Sequence, residues 1–257
     1  MDFQNVNLLN VRINMLSGNL FPMTADNSRF SIGWKIYSAI TWLMILTVVI
    51  AFFVGFNLVS KMKAISDGMI GTVFTIEVFF MAVRIHICRD LIVQFIRNMN
   101  DILRVQDETM RCAVMTSLEL MHSRFLKFYW LSGITTVIIW IGMPLKAVFI
   151  KNSFFYEDYR LPFIISKQPF SMEIFLTGGL LLILCSVYVL LKKAAIDIYT
   201  LNFVMLMTAQ YRYIAVKLEE LFREKNSLNE YNFQMGRTDS WAEAEMKAIC
   251  KHHHTVV

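Results

Sequence analysis

One run of uncharged residues between Lys35 and Lys61 constrains the fold more than any other feature of the sequence. The run extends from Ile36 to Ser60 and has twenty-five residues. About 20 apolar residues, each rising 1.5 Å along a helix, are enough to cross the roughly 30 Å hydrocarbon layer of a bilayer. The run therefore predicts a membrane-spanning helix at about residues 36–60.

The composition agrees with a membrane protein. Hydrophobic residues make up 56% of the chain and charged residues 18%, whereas about a quarter of the residues in soluble domains are charged. The net charge of +5 is compatible with nucleic-acid binding, but the basic residues flank the apolar runs, as topology signals do. We expect the lipid bilayer as a partner and no nucleic acid.

Three further apolar runs predict spans at about residues 68–95, 128–145 and 174–191. The run at 68–95 contains Glu77 and meets further charged residues from Arg84 onward, which indicates a tilted span that emerges from lipid at one end. With the first run, these spans predict an all-α, polytopic membrane helical bundle. Residues 34–211 are expected to form the transmembrane region.

The chain after the fourth run allows two interpretations. Lys192 and Lys193 follow that run, and a second apolar stretch then covers residues 194–211. This stretch is either a fifth span or the cytoplasmic continuation of one long helix. A reversal needs a turn, and residues 187–199 contain no Gly, Pro, Asn or Ser, which favours the long helix. Its extension carries an apolar stripe at spacings of three and four, comprising Ile196, Tyr199, Phe203, Leu206, Gln210 and Tyr213.

Two connecting segments differ in composition. Residues 97–124 mix charged and apolar side chains and predict a partly helical segment. Residues 151–173 contain two prolines and many aromatic side chains, and they predict an ordered, lid-like loop. The aromatic residues are Phe154, Phe155, Tyr156, Tyr159, Phe163 and Phe170.

Basic residues near the span ends predict the orientation. Twelve lie on the side of the N-terminus and six on the other side, so the positive-inside rule predicts a cytoplasmic N-terminus. Residues 1–33 then form a cytoplasmic segment that lacks the apolar core of a signal peptide, and residues 212–257 form a second one. There, a capping box from Ser240 to Glu243 predicts a helix that is still amphipathic at Val257. We therefore expect the chain to be part of a longer protein.

Four charged residues are candidates for structural or coupling roles. Glu77 is ionisable and lies within a predicted span, where such groups are costly and by default functional. We expect its side chain to be neutral or paired with Arg84, two helical turns away. Asp197 follows Lys193 by four residues and is expected to pair with it.

The sequence offers little support for catalysis or metal binding. No second acid, nucleophile or HExxH-like pattern accompanies Glu77, so we expect no enzymatic activity and no cofactor. The histidines of Lys251–His254 are consecutive, and neighbours on a helix point about 100° apart. They cannot converge on one metal ion without other ligands.

Several short phrases occur in a fixed order along the chain: Asn19–Pro22, Gly71–Ile76 followed by Glu77–Phe80, Phe128–Trp130, Tyr159–Pro162, Lys167–Phe170, Tyr188, Asp197, Thr208–Arg212 and Cys250–His253. Their order and spacing, with a cytoplasmic N-terminus, resemble the insect odorant receptor family over essentially the whole chain. Members are seven-helix olfactory channels. A specific subunit and a common co-receptor form a hetero-tetrameric, cation-selective channel.

The resemblance implies a ligand, a partner and a location. The ligand is a small volatile organic molecule, the partner is the odorant receptor co-receptor, and the location is the cell membrane of an olfactory sensory neuron dendrite. Four of the family's seven helices have counterparts here. Since the last of the other three lines the ion pathway, this chain is not expected to conduct by itself.

The expected orientation of the side chains and the family resemblance together predict a ligand cavity in the outer halves of the second, third and fourth spans. Its candidate residues are Phe79, Phe80, Thr136, Trp140, Thr177 and Leu181. Apolar walls with one or two hydroxyl groups suit volatile, sparingly polar ligands.

Two other receptor classes remain as alternatives. A gustatory receptor of the same superfamily would share the topology. A G-protein-coupled receptor would need an extracellular N-terminus, contrary to the count of basic residues.

Overall fold

A computed structural model describes residues 2–6, 8–24, 30–58, 61–104, 108–120, 126–159, 161, 163 and 166–231, together with Glu243, Ala244, Met246, Lys247 and Cys250. At some helical positions, Trp140 among them, only the backbone is described. Ser240, where the C-terminal helix is predicted to begin, and the histidine segment 251–254 lie outside the described residues.

The described residues are almost entirely helical. In chain order the helices are α1 (Phe3–Val6), α2 (Leu8–Ser17), α3 (Ile32–Leu58), α4 (Lys61–Ile87), α5 (Arg89–Arg104), α6 (Glu108–Leu120), α7 (Leu126–Ile150), α8 (Tyr156–Tyr159) and α9 (Met172–Tyr231). Across the described residues no strand forms, and the all-α class predicted from the sequence is confirmed.

Three of the described helices are long and apolar enough to cross a membrane. They are α3, α7 from Lys127 onward, and α9 over Met172–Arg223. The pair formed by α4 and α5 makes a fourth candidate if a bent pair counts as one span. Large apolar side chains such as Phe53 and Phe149 are exposed on these helices. Such exposure is unfavourable in water but not in lipid, and the fold is that of a helical membrane protein.

The second predicted span, 68–95, contains a bend that the sequence did not predict. The chain bends by 69° between the helical segments Gly71–Ile87 and Arg89–Arg104, so residues 89–95 belong to α5. One side of α5 is buried, with Val93, Ile96 and Met99 in the core, whereas Asp90 on the same helix is exposed. An amphipathic helix packs its apolar face on protein. The bend after α4 lets α5 place its apolar face against the core.

The third predicted span, 128–145, is shorter than its helix. Helix α7 runs from Leu126 to Ile150 and includes Pro144. It continues beyond the predicted end because a helix can extend past the apolar run that identifies it.

The fourth span and its extension form one helix of 60 residues, about 90 Å long at 1.5 Å per residue. The predicted continuous helix is confirmed, since the chain does not reverse between residues 187 and 199. The predicted stripe is also confirmed. Ile196, Tyr199 and Leu206 are buried in a core shared with α1, α4, α5 and α6, and Phe203 and Tyr213 pack against that core.

The N-terminal segment is folded against α9, and the polar sequence does not reveal this. Helix α2 packs along α9, and the side chain of Asn14 is fully buried. Its amide donates to the carbonyl oxygen of Phe21 at 3.1 Å and accepts from the backbone N–H of Phe21 at 3.1 Å. The turn after α2 thus forms around a polar group satisfied inside the protein.

The described residues of the loop between α7 and α9 pack against the helices, as predicted for an ordered loop. Phe154 pairs with Phe170 through a backbone bridge, and its ring stacks on Phe175 of α9 with centroids 4.4 Å apart. Phe163 is fully buried and packs edge-on against Phe52 of α3. We call residues 151–171 the lid, and its described aromatic residues pack in one core with side chains of α3, α7 and α9.

Candidate functional site

A cavity of about 380 Å³ lies between α3, α4, α7 and α9 beneath the lid. We call it the central cavity. Its lining residues are Val48, Phe52, Gly71, Phe74, Thr75, Phe128, Tyr129, Ser132, Gly133, Thr136, Val137, Leu161, Leu182, Cys185, Ser186, Val189, Leu190 and Lys193. Its volume lies within the range of about 300–1,000 Å³ typical of small-molecule pockets.

The walls of the central cavity are mostly apolar, with a few small polar groups. The hydroxyl of Thr75 donates to the carbonyl oxygen of Gly71 at 2.7 Å, and that of Thr136 donates to the carbonyl oxygen of Ser132 at 2.9 Å. The thiol of Cys185 donates to the carbonyl oxygen of Met44 at 3.4 Å. The hydroxyl and thiol hydrogens therefore donate to the backbone. The threonine oxygens can still accept a hydrogen bond from a ligand.

A charged network forms the end of the central cavity opposite the lid. The ammonium Nζ of Lys193 lies 2.6 Å from Glu77 Oε1 and 2.9 Å from Asp197 Oδ1. The hydroxyl of Tyr129 donates to Asp197 Oδ2 at 2.8 Å. Three helices, α4, α7 and α9, therefore meet at one group of side chains. We call these four residues the lysine network.

Within the lysine network, Lys193 is the residue that can donate a further hydrogen bond to a ligand in the cavity. A lysine ammonium has three N–H donors, and the described residues supply partners for two of them, Glu77 and Asp197. Its side chain is 16% exposed and lines the central cavity. A ligand that carries a hydrogen-bond acceptor would find its donor here.

The lid contributes to the other end of the cavity. Leu161 of the lid lines the cavity directly, and Tyr159 stacks on Phe175 with centroids 4.5 Å apart. The hydroxyl of Tyr159 donates to the carbonyl oxygen of Phe175 at 2.7 Å. Burial raises the pKa of Tyr159, so the hydroxyl keeps the proton that it donates.

The candidate ligand residues predicted from the sequence occupy different places. Thr136 lines the central cavity, and Phe79 lines a second cavity at the opposite end of α4. Phe80 and Thr177 are exposed on α4 and α9, and Leu181 packs against the core beneath the lid. The side chain of Trp140 lies outside the described residues. Among the members of this set whose side chains are described, the structure brings only Thr136 to the central cavity.

The charged candidates also differ from expectation. Lys193 and Asp197 form the i,i+4 contact expected from their spacing. Glu77, in contrast, contacts Lys193 and not Arg84, which is exposed. Seven residues correspond to about 10.5 Å along a helix, and a partner on a neighbouring helix is closer.

The sequence contains a signal for the cavity that our prediction did not use. Small residues recur at helical spacing on α7 (Ser132, Gly133 and Thr136) and on α9 (Cys185 and Ser186). Gly133 lies against Leu190, where an added Cβ would stand 3.0 Å from Leu190 Cδ1. A stripe of small side chains on facing helices indicates where they approach closely.

Neither a protein-family model nor a curated protein matches the chain. The functional argument accordingly depends on the geometry of the central cavity and on the resemblance found in the sequence.

Proposed function

We propose that this protein is a membrane receptor subunit of the odorant-receptor type, which binds a small volatile organic ligand in the central cavity. The observation that carries the proposal is the combination of apolar walls, an aromatic lid and a single lysine network between membrane-length helices. Apolar walls supply affinity for a sparingly polar molecule, and few polar groups fix its orientation.

The ligand class follows from the polar groups of the cavity. The hydroxyl groups of Thr75 and Thr136 donate to their own helices, so the donors offered to a ligand are Lys193 and the hydroxyl groups of Ser132 and Ser186. An ester, ketone or aldehyde has one acceptor and an apolar body. Such a molecule accepts a hydrogen bond from Lys193, and its apolar body contacts the apolar walls.

The lysine network supplies a mechanism for signalling. A ligand that accepts from Lys193 competes with Glu77 of α4 and Asp197 of α9 for the same ammonium. It therefore binds one arrangement of these helices better than another, and this difference in affinity shifts their equilibrium. From Lys193 the same helix continues to Tyr231, about 57 Å away, so a displacement at the cavity is carried to the far end of α9.

In the family that the sequence resembles, such a subunit acts with a co-receptor in a hetero-tetrameric cation channel. We propose the same partner here, in the cell membrane of olfactory neurons. The cytoplasmic orientation of the N-terminus, predicted from the basic residues, supports this assignment over a G-protein-coupled receptor.

Thermal unfolding of the detergent-solubilised full chain tests the binding proposal. We expect volatile esters or ketones to stabilise the chain, by about 1.4 kcal/mol at a concentration of ten times Kd. Thr136→Trp fills the central cavity and should abolish this stabilisation. Ile138→Trp, at an exposed position two residues away on α7, is the matched control and should keep it.

Two results would contradict the proposal. One is a panel of volatile esters, ketones, alcohols and alkanes in which no compound stabilises the chain. The other is equal stabilisation of the parent chain and of Thr136→Trp, which would locate the ligand elsewhere.

A further inference from the structure

A second cavity, of about 650 Å³, lies at the end of the bundle where the N-terminal segment packs. We call it the basic cavity. The residues that matter for its chemistry are Lys35, Trp42, Phe79, Val83, His86 and Arg89. The loop residues Asn19–Pro22 form another part of its wall.

The basic cavity lies where the predicted topology places the membrane surface. Lys35 is in the first turn of α3, and His86 and Arg89 flank the bend at which α4 ends and α5 begins. The first apolar helix enters the membrane and the second leaves it at this level. Headgroups of phospholipids, and not their hydrocarbon chains, occupy this depth.

Positive charge is concentrated around the basic cavity. Lys35, His86 and Arg89 line it, and among the described lining residues none is acidic. Asp90 follows Arg89 in the chain but is not one of the lining residues. The cavity therefore favours an anion.

A further basic side chain lies behind the cavity wall. The side chain of Lys192 is fully buried, and its ammonium Nζ stands 4.2 Å from the centroid of the Trp42 ring. It donates to the carbonyl oxygen of Ser17 at 2.8 Å and to Asn19 Oδ1 at 3.4 Å, which are neutral acceptors.

The same cavity also has an apolar side that opens outward. Trp42 and Phe79 pack edge-to-face with centroids 6.1 Å apart. Phe79 is 60% exposed and Val83 is 40% exposed, so this side continues into the apolar surface of α4. A free phosphate ion would leave these side chains uncovered, whereas an amphiphile would cover them.

We propose that the basic cavity binds the phosphate headgroup of an anionic glycerophospholipid, with an acyl chain lying along Phe79 and Val83. The distribution of basic residues predicts that this end of the bundle faces the cytoplasm. The cytoplasmic leaflet is the one that carries anionic lipids. Bound there, the lipid bridges the N-terminal segment, α3 and the bend between α4 and α5.

Native mass spectrometry of the full chain in a neutral detergent tests this proposal without mutation. We expect dioctanoyl phosphatidic acid to bind at least tenfold more tightly than dioctanoyl phosphatidylcholine, and inorganic phosphate to displace it only at far higher concentration. Equal binding of the two lipids would overturn the proposal, because it would exclude charge recognition. Displacement by phosphate at concentrations comparable to the lipid's would also overturn it, in favour of a free-anion site.

Paired substitutions then locate the site. Lys35→Gln combined with Arg89→Gln should weaken phosphatidic acid binding at least tenfold, whereas Lys35→Arg combined with Arg89→Lys should change it less than threefold. The matched control is Lys127→Gln combined with Arg212→Gln, which removes two exposed basic side chains that do not line the cavity. An equal loss in the control pair would overturn the proposal, since it would show attraction to the whole basic surface.

Discussion

Lys192 and Lys193 are adjacent in the chain but lie in different environments. Neighbouring residues on a helix point about 100° apart, so Lys192 faces the N-terminal segment and Lys193 faces α4 and α7. Lys192 donates to neutral oxygens of Ser17 and Asn19, whereas Lys193 lies between the carboxylates of Glu77 and Asp197. Lys192 thus ties the N-terminal segment to α9, and Lys193 joins α4 to α9 beside the central cavity.

Lys193→Met should lower the free energy of unfolding by about 1–3 kcal/mol. This loss lies between those measured when an exposed ion pair and a fully buried ion pair are broken. The reason is that Glu77 and Asp197 would face each other without a cation. Chemical unfolding in detergent measures the change. Lys217→Met is the matched control on the same helix, because Lys217 also contacts a carboxylate, that of Glu220, at 3.2 Å, in a more exposed pair. An equal effect of the two substitutions would contradict a structural role of the lysine network.

Gly18→Ala should destabilise the turn after α2 by about 1–3 kcal/mol. Gly18 has a φ of +70°, and an added Cβ would lie 3.0 Å from Thr41 Oγ1 and 3.3 Å from Ser38 Cα. Gly33→Ala is the control, since its Cβ would meet nothing closer than 4.0 Å. That change should be neutral or stabilising by up to about 1 kcal/mol. Thermal unfolding of the two variants should therefore give shifts that differ in size, and equal shifts would refute the close approach.

The sequence predicts contacts within one helix, but it does not predict contacts between helices. The spacing of Lys193 and Asp197 is enough to predict their contact. The contact of Glu77 with Lys193 joins positions 116 residues apart and depends on the rotation of α4 relative to α9, which no local pattern encodes. For the same reason Tyr129 was missed, although it completes the network through Asp197.

At the scale of elements, the lid is held by aromatic packing. Phe163 is fully buried between Phe52 of α3 and Tyr159 of the lid itself. Phe155, in the same loop, is 41% exposed. The lid is therefore anchored to the bundle by a few buried rings, and the other aromatic side chains contribute less.

Phe163→Ala should cost about 3–5 kcal/mol of lid stability, because it leaves a cavity in a packed aromatic cluster. Hydrogen exchange of backbone amides in residues 151–171 should rise in this variant. Phe155→Ala is the matched control and should cost about 1 kcal/mol or less, because its side chain is partly exposed. Equal exchange in the two variants would show that Phe163 does not anchor the lid.

The elements differ in how far the sequence predicts them. The continuous helix α9 follows from the absence of turn residues between positions 187 and 199. The bend between α4 and α5 does not, because clustered charges mark where a span emerges from lipid but not the direction in which the chain continues. Helix α2 was missed because Asn10 and Asn14 look solvent-exposed in the sequence, yet both are buried.

At the scale of the whole molecule, two cores flank the central cavity. One lies beneath the lid and contains Phe154, Phe163 and Phe175. The other joins the N-terminal segment, α5 and α6 to the extension of α9. Helix α9 passes through both, and the central cavity lies along its length between them. The sequence predicted a cavity between α4, α7 and α9 in the outer halves of these spans. The central cavity lies between the same helices but is lined by residues 128–137 of α7 and 182–193 of α9, which the predicted topology places in the inner halves.

Glycosylation mapping tests the predicted orientation of the bundle. The chain contains no Asn-x-Ser/Thr sequon, so any glycosylation can be assigned to the engineered sequon. A sequon between Lys61 and Asp67 should be glycosylated, and one placed before Arg29 should not, because the excess of basic residues holds the N-terminal side in the cytoplasm. The reverse pattern would exclude a receptor of the odorant type.

Photo-crosslinking tests the central claim, the binding of a small apolar ligand in the central cavity, most directly. The probe is a diazirine analogue of the volatile compound that stabilises the chain most, and labelled peptides are mapped by mass spectrometry. We predict labels on α7 within residues 132–137 and on α9 within residues 182–193, lost in Thr136→Trp and in excess unlabelled compound. Labels confined to the exposed face at Phe80 and Thr177, with none on these two segments, would contradict the account.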